Sequence, residues 1–109
     1  MDVECNPIFS EVDKLISLLG KSKLLHILYI LHLKEKPLSF SDIKRLVDSS
    51  STTVSRRLRE LEDNNLVNRT SFSTRPVTVY YTLTQIAQLL APTIQSMYDW
   101  VENHNLKLI

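Results

Sequence analysis

Hydroxyl and guanidinium side chains are concentrated in one short segment of this 109-residue chain, STTVSRRLR at residues 51–59. Val54 and Leu58 are four residues apart, and a third apolar residue follows three positions later, so all three share one stripe of a helix. Arg56 and Arg59 then point to the opposite side. Arginine can pair bidentately with guanine or with phosphate, and hydroxyls at a helix start suit phosphate. The segment therefore predicts a helix whose outer face can contact DNA.

The same helix has a plainer interpretation. Arg56 with Glu60, and Arg59 with Asp63, are spaced i, i+4, which is the spacing of ion pairs on any solvated helix. Spacing alone leaves these two interpretations open, so the segment that follows the helix decides between them.

Two stretches rich in β-branched and aromatic residues follow this helix, at residues 66–72 and 77–83. The four residues between them include Pro76 and predict a turn. Arg75 at the tip and Arg69 on the first strand can reach phosphate or the minor groove. A solvated hairpin with two arginines is the alternative, but its direct attachment to the helix favours the wing of a winged helix-turn-helix. The candidate DNA-binding residues are Ser51, Thr52, Thr53, Ser55, Arg56, Arg57, Arg59, Arg69 and Arg75.

The rest of the chain predicts further helices. An apolar stripe at residues 8–19 ends at Gly20. Residues 21–34 are apolar on nearly every side, which is typical of a buried central helix, and His26 is expected to be a hydrogen-bonded core residue.

Three polar residues are expected to cap the remaining helices. Ser39 or Ser41 can cap a short helix, and one of the serines at 49–51 can cap the arginine-bearing helix. Thr84 can cap a last helix from residue 85 to about residue 104, which Pro92 should kink.

These elements predict a mainly α fold with a small β-hairpin, a single winged helix-turn-helix domain over residues 1–109. The helix-turn-helix lies at residues 38–65 and the wing hairpin at 66–83. Residues 1–20 and 84–109 are expected to supply dimerisation helices.

The two terminal helices carry more apolar surface than so small a domain can cover. Such leftover faces indicate a partner, and a second copy of the chain is the simplest one. Packing of the two helices on each other within one chain is the alternative. The candidate dimer-interface residues are Ile8, Phe9, Val12, Met97, Tyr98, Trp100 and Val101.

Charge is distributed unevenly, although the net charge is only +1. Residues 44–75 carry seven basic and four acidic side chains, whereas the rest of the chain carries six and eight. The positive excess coincides with the predicted DNA face but is modest. One copy should therefore bind double-stranded DNA weakly, and a homodimer should double the phosphate contacts.

Other classes of protein are not favoured. No segment is long and apolar enough to cross a membrane, no secretory leader is evident, and the one cysteine suits a reducing cytoplasm. We find no Gly-rich phosphate loop, no nucleophile-base-acid arrangement and no metal-ligand spacing of the histidines, so we expect no enzyme, cofactor or metal site. The surviving alternative is a winged-helix protein-interaction module that does not bind DNA.

The chain resembles the HxlR-type winged-helix transcription regulators over nearly its whole length. The similar segments are CNPI at residues 5–8, GKSKLLHILYILH at 20–32, LSFSDIKR at 38–45, TTVSRRLRELEDNNLVNR at 52–69, RPVTVYYTLT at 75–84 and DWVENH at 99–104. The resemblance implies a dimeric DNA-binding regulator, by analogy a repressor, with dimer contacts from the first and last helices. Ser22 stands where the family usually has Trp, and Asn65 where it usually has Gly. The MarR type and archaeal regulators of similar size are alternative families.

Cys5 occupies a position that the resemblance makes interesting. In many members of the family a cysteine just before the first helix senses oxidants or electrophiles, and Cys5-Asn6-Pro7 resembles that position. A thiol near a helix N-terminus can have a lowered pKa, whereas the nearby acids Asp2, Glu4 and Glu11 would oppose this. An inert thiol is the alternative.

Overall fold

The computed structural model describes residues 6–73 and 75–109 of the chain. The described elements, in chain order, are α1 (Pro7–Leu19), α2 (Leu24–Lys34), β1 (Leu38–Ser39), α3 (Phe40–Val47), α4 (Ser51–Asp63), β2 (Val67–Phe72), β3 (Thr78–Leu83) and α5 (Gln85–Asn103). Helices α3 and α4 form the helix-turn-helix, and the hairpin β2–β3 follows α4 directly, as the sequence predicts.

The core surrounds α2, which contributes Leu24, Ile27, Leu28 and Leu31 as buried residues. The apolar stripe of α4 packs against it, since Val54, Leu58 and Leu61 are each at most 1% exposed. This burial removes apolar area from water and fixes which face of α4 points outward. The prediction that α2 is central and α4 is one-sided is therefore confirmed.

Two details of α2 differ from the sequence-based prediction. The helix begins at Leu24 rather than at residue 21, because Lys23 has a left-handed backbone (φ 70°) that cannot continue a right-handed helix. His26 does form a hydrogen bond, with the Tyr98 hydroxyl at 2.5 Å, but the residue is exposed rather than part of the core.

Side-chain caps define where α3, α4 and α5 begin. Ser39 and Asp42 form a capping box at α3, in which the Asp42 amide donates to the Ser39 hydroxyl at 3.1 Å. Hydrogen bonds from Ser39 lower the pKa of Asp42 and keep that carboxylate ionised at the positive end of the helix. Ser50 caps α4 and Thr84 caps α5, both by accepting from a backbone amide. These caps confirm the predicted helix starts.

The wing belongs to a three-stranded antiparallel sheet of order β1-β3-β2, not to an isolated two-stranded hairpin. Strand β1 pairs Leu38 with Tyr81 and Ser39 with Tyr80. The prediction of a two-stranded wing was incomplete because two residues are too few to show a strand periodicity. The added pairing connects the wing to the start of α3 and so holds it beside the helix-turn-helix.

The terminal helices differ in how they pack. No residue of α1 is buried, whereas α5 buries Ala87, Ala91 and Ile94. Helix α5 continues through Pro92, and a kink there stays a prediction. Within the described part of the chain no single helix is long and apolar enough to cross a membrane. Helices α1 and α2 are long and apolar enough only when taken together, and they are bent by 85° relative to each other.

Candidate nucleic-acid interface

The outer face of α4 presents a continuous set of polar side chains. Ser51, Thr52, Ser55, Arg56 and Arg59 are all exposed, as expected from their position opposite the buried stripe. Together with one residue of α3 they enclose a shallow depression, which is lined by Phe40, Ser51, Thr52, Ser55, Arg56 and Arg59. The structure therefore brings most of the candidate base-contacting residues onto one surface.

The guanidinium groups of Arg56 and Arg59 have no hydrogen bond or ion pair with any described residue. Neither of the ion pairs that the i, i+4 spacing suggested forms between these described residues. Glu60 is instead engaged by Lys21 at 3.1 Å and by Arg57. Each guanidinium group thus keeps its five N–H donors for another acceptor.

Arg57 is placed differently from its neighbours. Its Nε donates to the Ser22 carbonyl oxygen at 2.9 Å and its Nη1 to the Glu60 carboxylate at 2.5 Å, and its side chain is only 13% exposed. Burial alone would raise the pKa of Glu60, but hydrogen bonds from Arg57 and Lys21 outweigh it and lower that pKa. Arg57 therefore connects α4 to the segment between α1 and α2 and does not belong to the outer face.

Thr53 forms hydrogen bonds with the cap of α4. Its amide donates to the Ser50 hydroxyl oxygen at 3.2 Å, and its own hydroxyl accepts from Ser50 at 3.1 Å. These two contacts complete the N-terminal cap of α4.

The wing arginines lie at two different places. Arg69, on β2, lines a second depression between the wing and α4, together with Ser55, Leu58, Arg59, Glu62, Asp63 and Tyr81. Two carboxylates there oppose an anionic ligand, so Arg69 is less favourably placed for phosphate than the sequence suggested. Arg75 lies in the turn between β2 and β3 and is exposed.

Sequence reasoning did not single out three apolar residues, two at the wing tip and one beside the depression of α4. Phe72 and Val77 flank the wing tip and are 46% and 66% exposed, and Phe72 meets Tyr80 edge to face. Phe40 borders the α4 depression. The one sequence signal for Phe40 was that an aromatic residue directly follows the Ser39 cap, since a helix start does not require an aromatic residue there.

The candidate dimer surface is present on both terminal helices. The exposed fractions are 56% for Ile8, 47% for Phe9, 45% for Val12, 61% for Ile16, 49% for Met97, 54% for Trp100 and 40% for Val101. Tyr98 departs from this set, since it stacks on Tyr29 with ring centroids 3.7 Å apart and bonds His26. It packs within the chain, and Ile16 extends the exposed surface instead.

Cys5 lies outside the described residues. Asn6, which follows it, is the N-cap of α1 and accepts from the Ile8 amide at 3.0 Å. Among the described residues no group of three or more His, Cys, Asp or Glu could hold a metal ion.

Comparison with known proteins identifies the family. The HxlR-like helix-turn-helix family model matches residues 18–107. An uncharacterized helix-turn-helix transcriptional regulator of Halalkalibacterium halodurans is 34% identical over 92 residues, which cover 83% of this chain and 80% of that protein. The regulator YodB of Bacillus subtilis is 32% identical over 101 residues, covering 89% of this chain and 86% of YodB.

Solved structures agree with the sequence matches. The reduced form of YodB superimposes with a TM-score of 0.72 at 32% identity, over 84% of this chain and 89% of that one. The redox regulator HypR in its oxidized form superimposes with a TM-score of 0.74 at 25% identity, over 91% of this chain and 99% of HypR. The predicted winged-helix fold and regulator function are confirmed, and the chain belongs to the HxlR-like helix-turn-helix family of transcriptional regulators.

Proposed function

We propose that this regulator binds double-stranded DNA sequence-specifically, as a homodimer. The observation that carries the proposal is the outer face of α4, where Arg56 and Arg59 are exposed and make no ion pair with a described residue. Leaving guanidinium groups unpaired next to exposed hydroxyls gives a surface suited to guanine edges and phosphate oxygens.

Helix α4 enters the major groove with its N-terminal half. Thr52 and Arg56 then face base edges, because recognition helices of this type read bases near their N-terminus. Arg75 projects from the wing towards the sugar-phosphate backbone beside the groove. Arg57 takes no part in contacting DNA and instead fixes the position of α4 through Ser22 and Glu60.

The exposed apolar faces of α1 and α5 form the dimer interface. A two-fold dimer would present two copies of α4 to half-sites about one DNA turn apart and would double the number of phosphate contacts. The two regulators matched by sequence above come from bacteria, in which the DNA lies in the cytoplasm, and we place this protein there. Repression of a nearby gene is the mode that we propose.

Regulation by oxidants is the remaining part of the proposal. YodB has been solved both reduced and after diamide treatment, and HypR is named a redox regulator. Peroxide would convert the Cys5 thiolate to a sulfenic acid, and diamide would take two electrons and two protons from two thiols to leave a disulfide. Cys5 directly precedes the Asn6 cap of α1, so its modification is expected to alter the dimer and the spacing of the two α4 helices.

A gel-shift titration tests the role of Cys5. The wild type should change its affinity for the operator after treatment with peroxide or diamide, whereas Cys5→Ser should not respond. Equal affinity of the wild type in both conditions would leave a regulator that does not sense oxidants through this residue.

Salt dependence of binding tests DNA recognition itself. Duplexes bound from a randomised pool should share a two-fold motif, and the affinity for that motif should fall steeply as salt increases. A winged-helix module that binds only protein would select no motif and would show no such dependence.

A further inference from the structure

Phe40 is an apolar side chain on a surface that is otherwise polar. It is the first residue of α3, it is partly buried, and it packs against the hydrophobic core on one side. On its other side it borders the depression on the outer face of α4, next to Ser55, Arg56 and Arg59. It is the one apolar residue among the six that line this depression.

The composition of this depression matches particular base edges. Guanidinium groups pair with the N7 and O6 acceptors of guanine, and hydroxyls can serve either kind of base. In the major groove of DNA one base alone presents an apolar group, because thymine carries a C5-methyl there. An apolar residue in a depression that two arginines also line therefore favours a thymine next to a guanine.

We propose that Phe40 is a specificity-determining residue that contacts a thymine methyl group in each half-site. This inference rests on the proposed entry of α4 into the major groove. The fold fixes the position of Phe40. The capping box of Ser39 and Asp42 fixes the first turn of α3, and the pairing of β1 with β3 holds that turn in place. Phe40 thus borders the depression from α3 and not from α4.

Replacing each thymine of the selected site with deoxyuridine removes only the methyl group. For the wild type, a substitution in one half-site should weaken binding about fourfold, the size expected for burying a single methyl group. Phe40→Ala should bind the thymine and deoxyuridine duplexes alike. Phe72→Ala, which removes an exposed phenylalanine side chain from the wing, is the matched control and should keep the fourfold difference.

Crosslinking supplies a test that uses the unaltered chain. 5-Iodouracil carries an iodine of nearly methyl size and reacts with an adjacent aromatic ring under light, so the sensitive position should crosslink to Phe40. The role of Phe40 is overturned if no thymine is sensitive, if Phe40→Ala keeps the deoxyuridine penalty, or if crosslinks form only with other residues. A chain that binds no DNA would instead refute the proposed function itself.

Discussion

Two adjacent arginines of α4 have different surroundings. Arg56 is exposed and pairs with no described residue, whereas Arg57 donates both to the Ser22 carbonyl and to the Glu60 carboxylate. A hydrogen bond that involves charged groups contributes more to stability than a neutral one, and a partner left unsatisfied is costly. The two side chains should therefore respond differently to truncation.

Arg57→Ala is expected to lower the free energy of unfolding by about 1–3 kcal/mol, because Glu60 and the Ser22 carbonyl lose their donor. Urea denaturation followed by circular dichroism measures this. Arg56→Ala is the matched control and should stay within about 0.5 kcal/mol of the wild type, as surface substitutions usually do. Equal stability of the two variants would show that the Arg57 contacts contribute nothing.

Sequence spacing predicts the face on which a helical residue lies, but not its partner elsewhere in the chain. The positions of Arg56 and Arg59 follow from the 3.6-residue period and were predicted from it. The acceptor of Arg57 is a carbonyl 35 residues away, and no local pattern reports such a contact. Phe40 was missed for the same reason, since its place beside α4 depends on tertiary packing.

The turn between α4 and β2 depends on one left-handed residue. Asn65 has φ 58°, the Leu66 amide donates to the Leu61 carbonyl at 2.9 Å, and the Thr84 hydroxyl donates to the Asn65 carbonyl at 2.8 Å. Asparagine tolerates this conformation better than other residues with a Cβ, so it can hold this turn where most side chains would be strained.

Replacing Asn65 tests this element. Asn65→Ala should lower the free energy of unfolding by about 1 kcal/mol, because alanine pays the left-handed penalty without a compensating side-chain contact. Asn65→Gly should be at least as stable as the wild type, since glycine has no such penalty. Thermal unfolding measures the order of stability of the three proteins. A glycine variant less stable than the alanine variant would contradict the left-handed penalty at this position.

Tyr29 of α2 stacks on Tyr98 of α5, and the stability of the protein should depend on pH at this contact. Burial raises the pKa of Tyr98 to about 12, and Tyr29 adds to the effect. An unfolded tyrosine ionises near pH 10, so the stability from keeping Tyr98 neutral is complete below pH 10 and is lost as pH rises towards 12.

Denaturant melts between pH 8 and pH 11.5 measure that contribution. The wild type should lose stability more steeply than Tyr98→Phe, which cannot ionise, and the two slopes should agree below pH 9. Parallel curves over the whole range would mean that Tyr98 ionises as freely in the folded chain as in the unfolded one.

The elements that the sequence predicted best are those with a cap and a long periodic stripe. Thr84 marks the start of α5, and the serines at 49–51 mark the start of α4, where Ser50 is the cap. Each cap supplies an oxygen to an otherwise unpaired amide. Strand β1 went unpredicted because its partner, β3, lies some 40 residues further on and only that pairing makes it a strand.

At the scale of the whole molecule, the exposed apolar faces of α1 and α5 predict a dimer. Light scattering at micromolar concentration should give twice the mass of the 12.6 kDa chain. Ile16→Glu should shift the protein towards monomer, since it would bury a charge in the interface. Val77→Glu, at an equally exposed apolar position on the wing, should leave the dimer intact, and a monomeric wild type would refute the assembly.

Recognition of DNA by the outer face of α4 is tested most directly by the affinity of Arg56→Ala for a selected site and for a scrambled duplex. We expect a loss of about 1–3 kcal/mol on the selected site and little change on the scrambled one, because a base contact is removed. Arg75→Ala provides the contrast: it should weaken both duplexes about equally and reduce the salt slope by about one for each copy of the chain. Unchanged binding of Arg56→Ala to the selected site would contradict the placement of α4 in the groove.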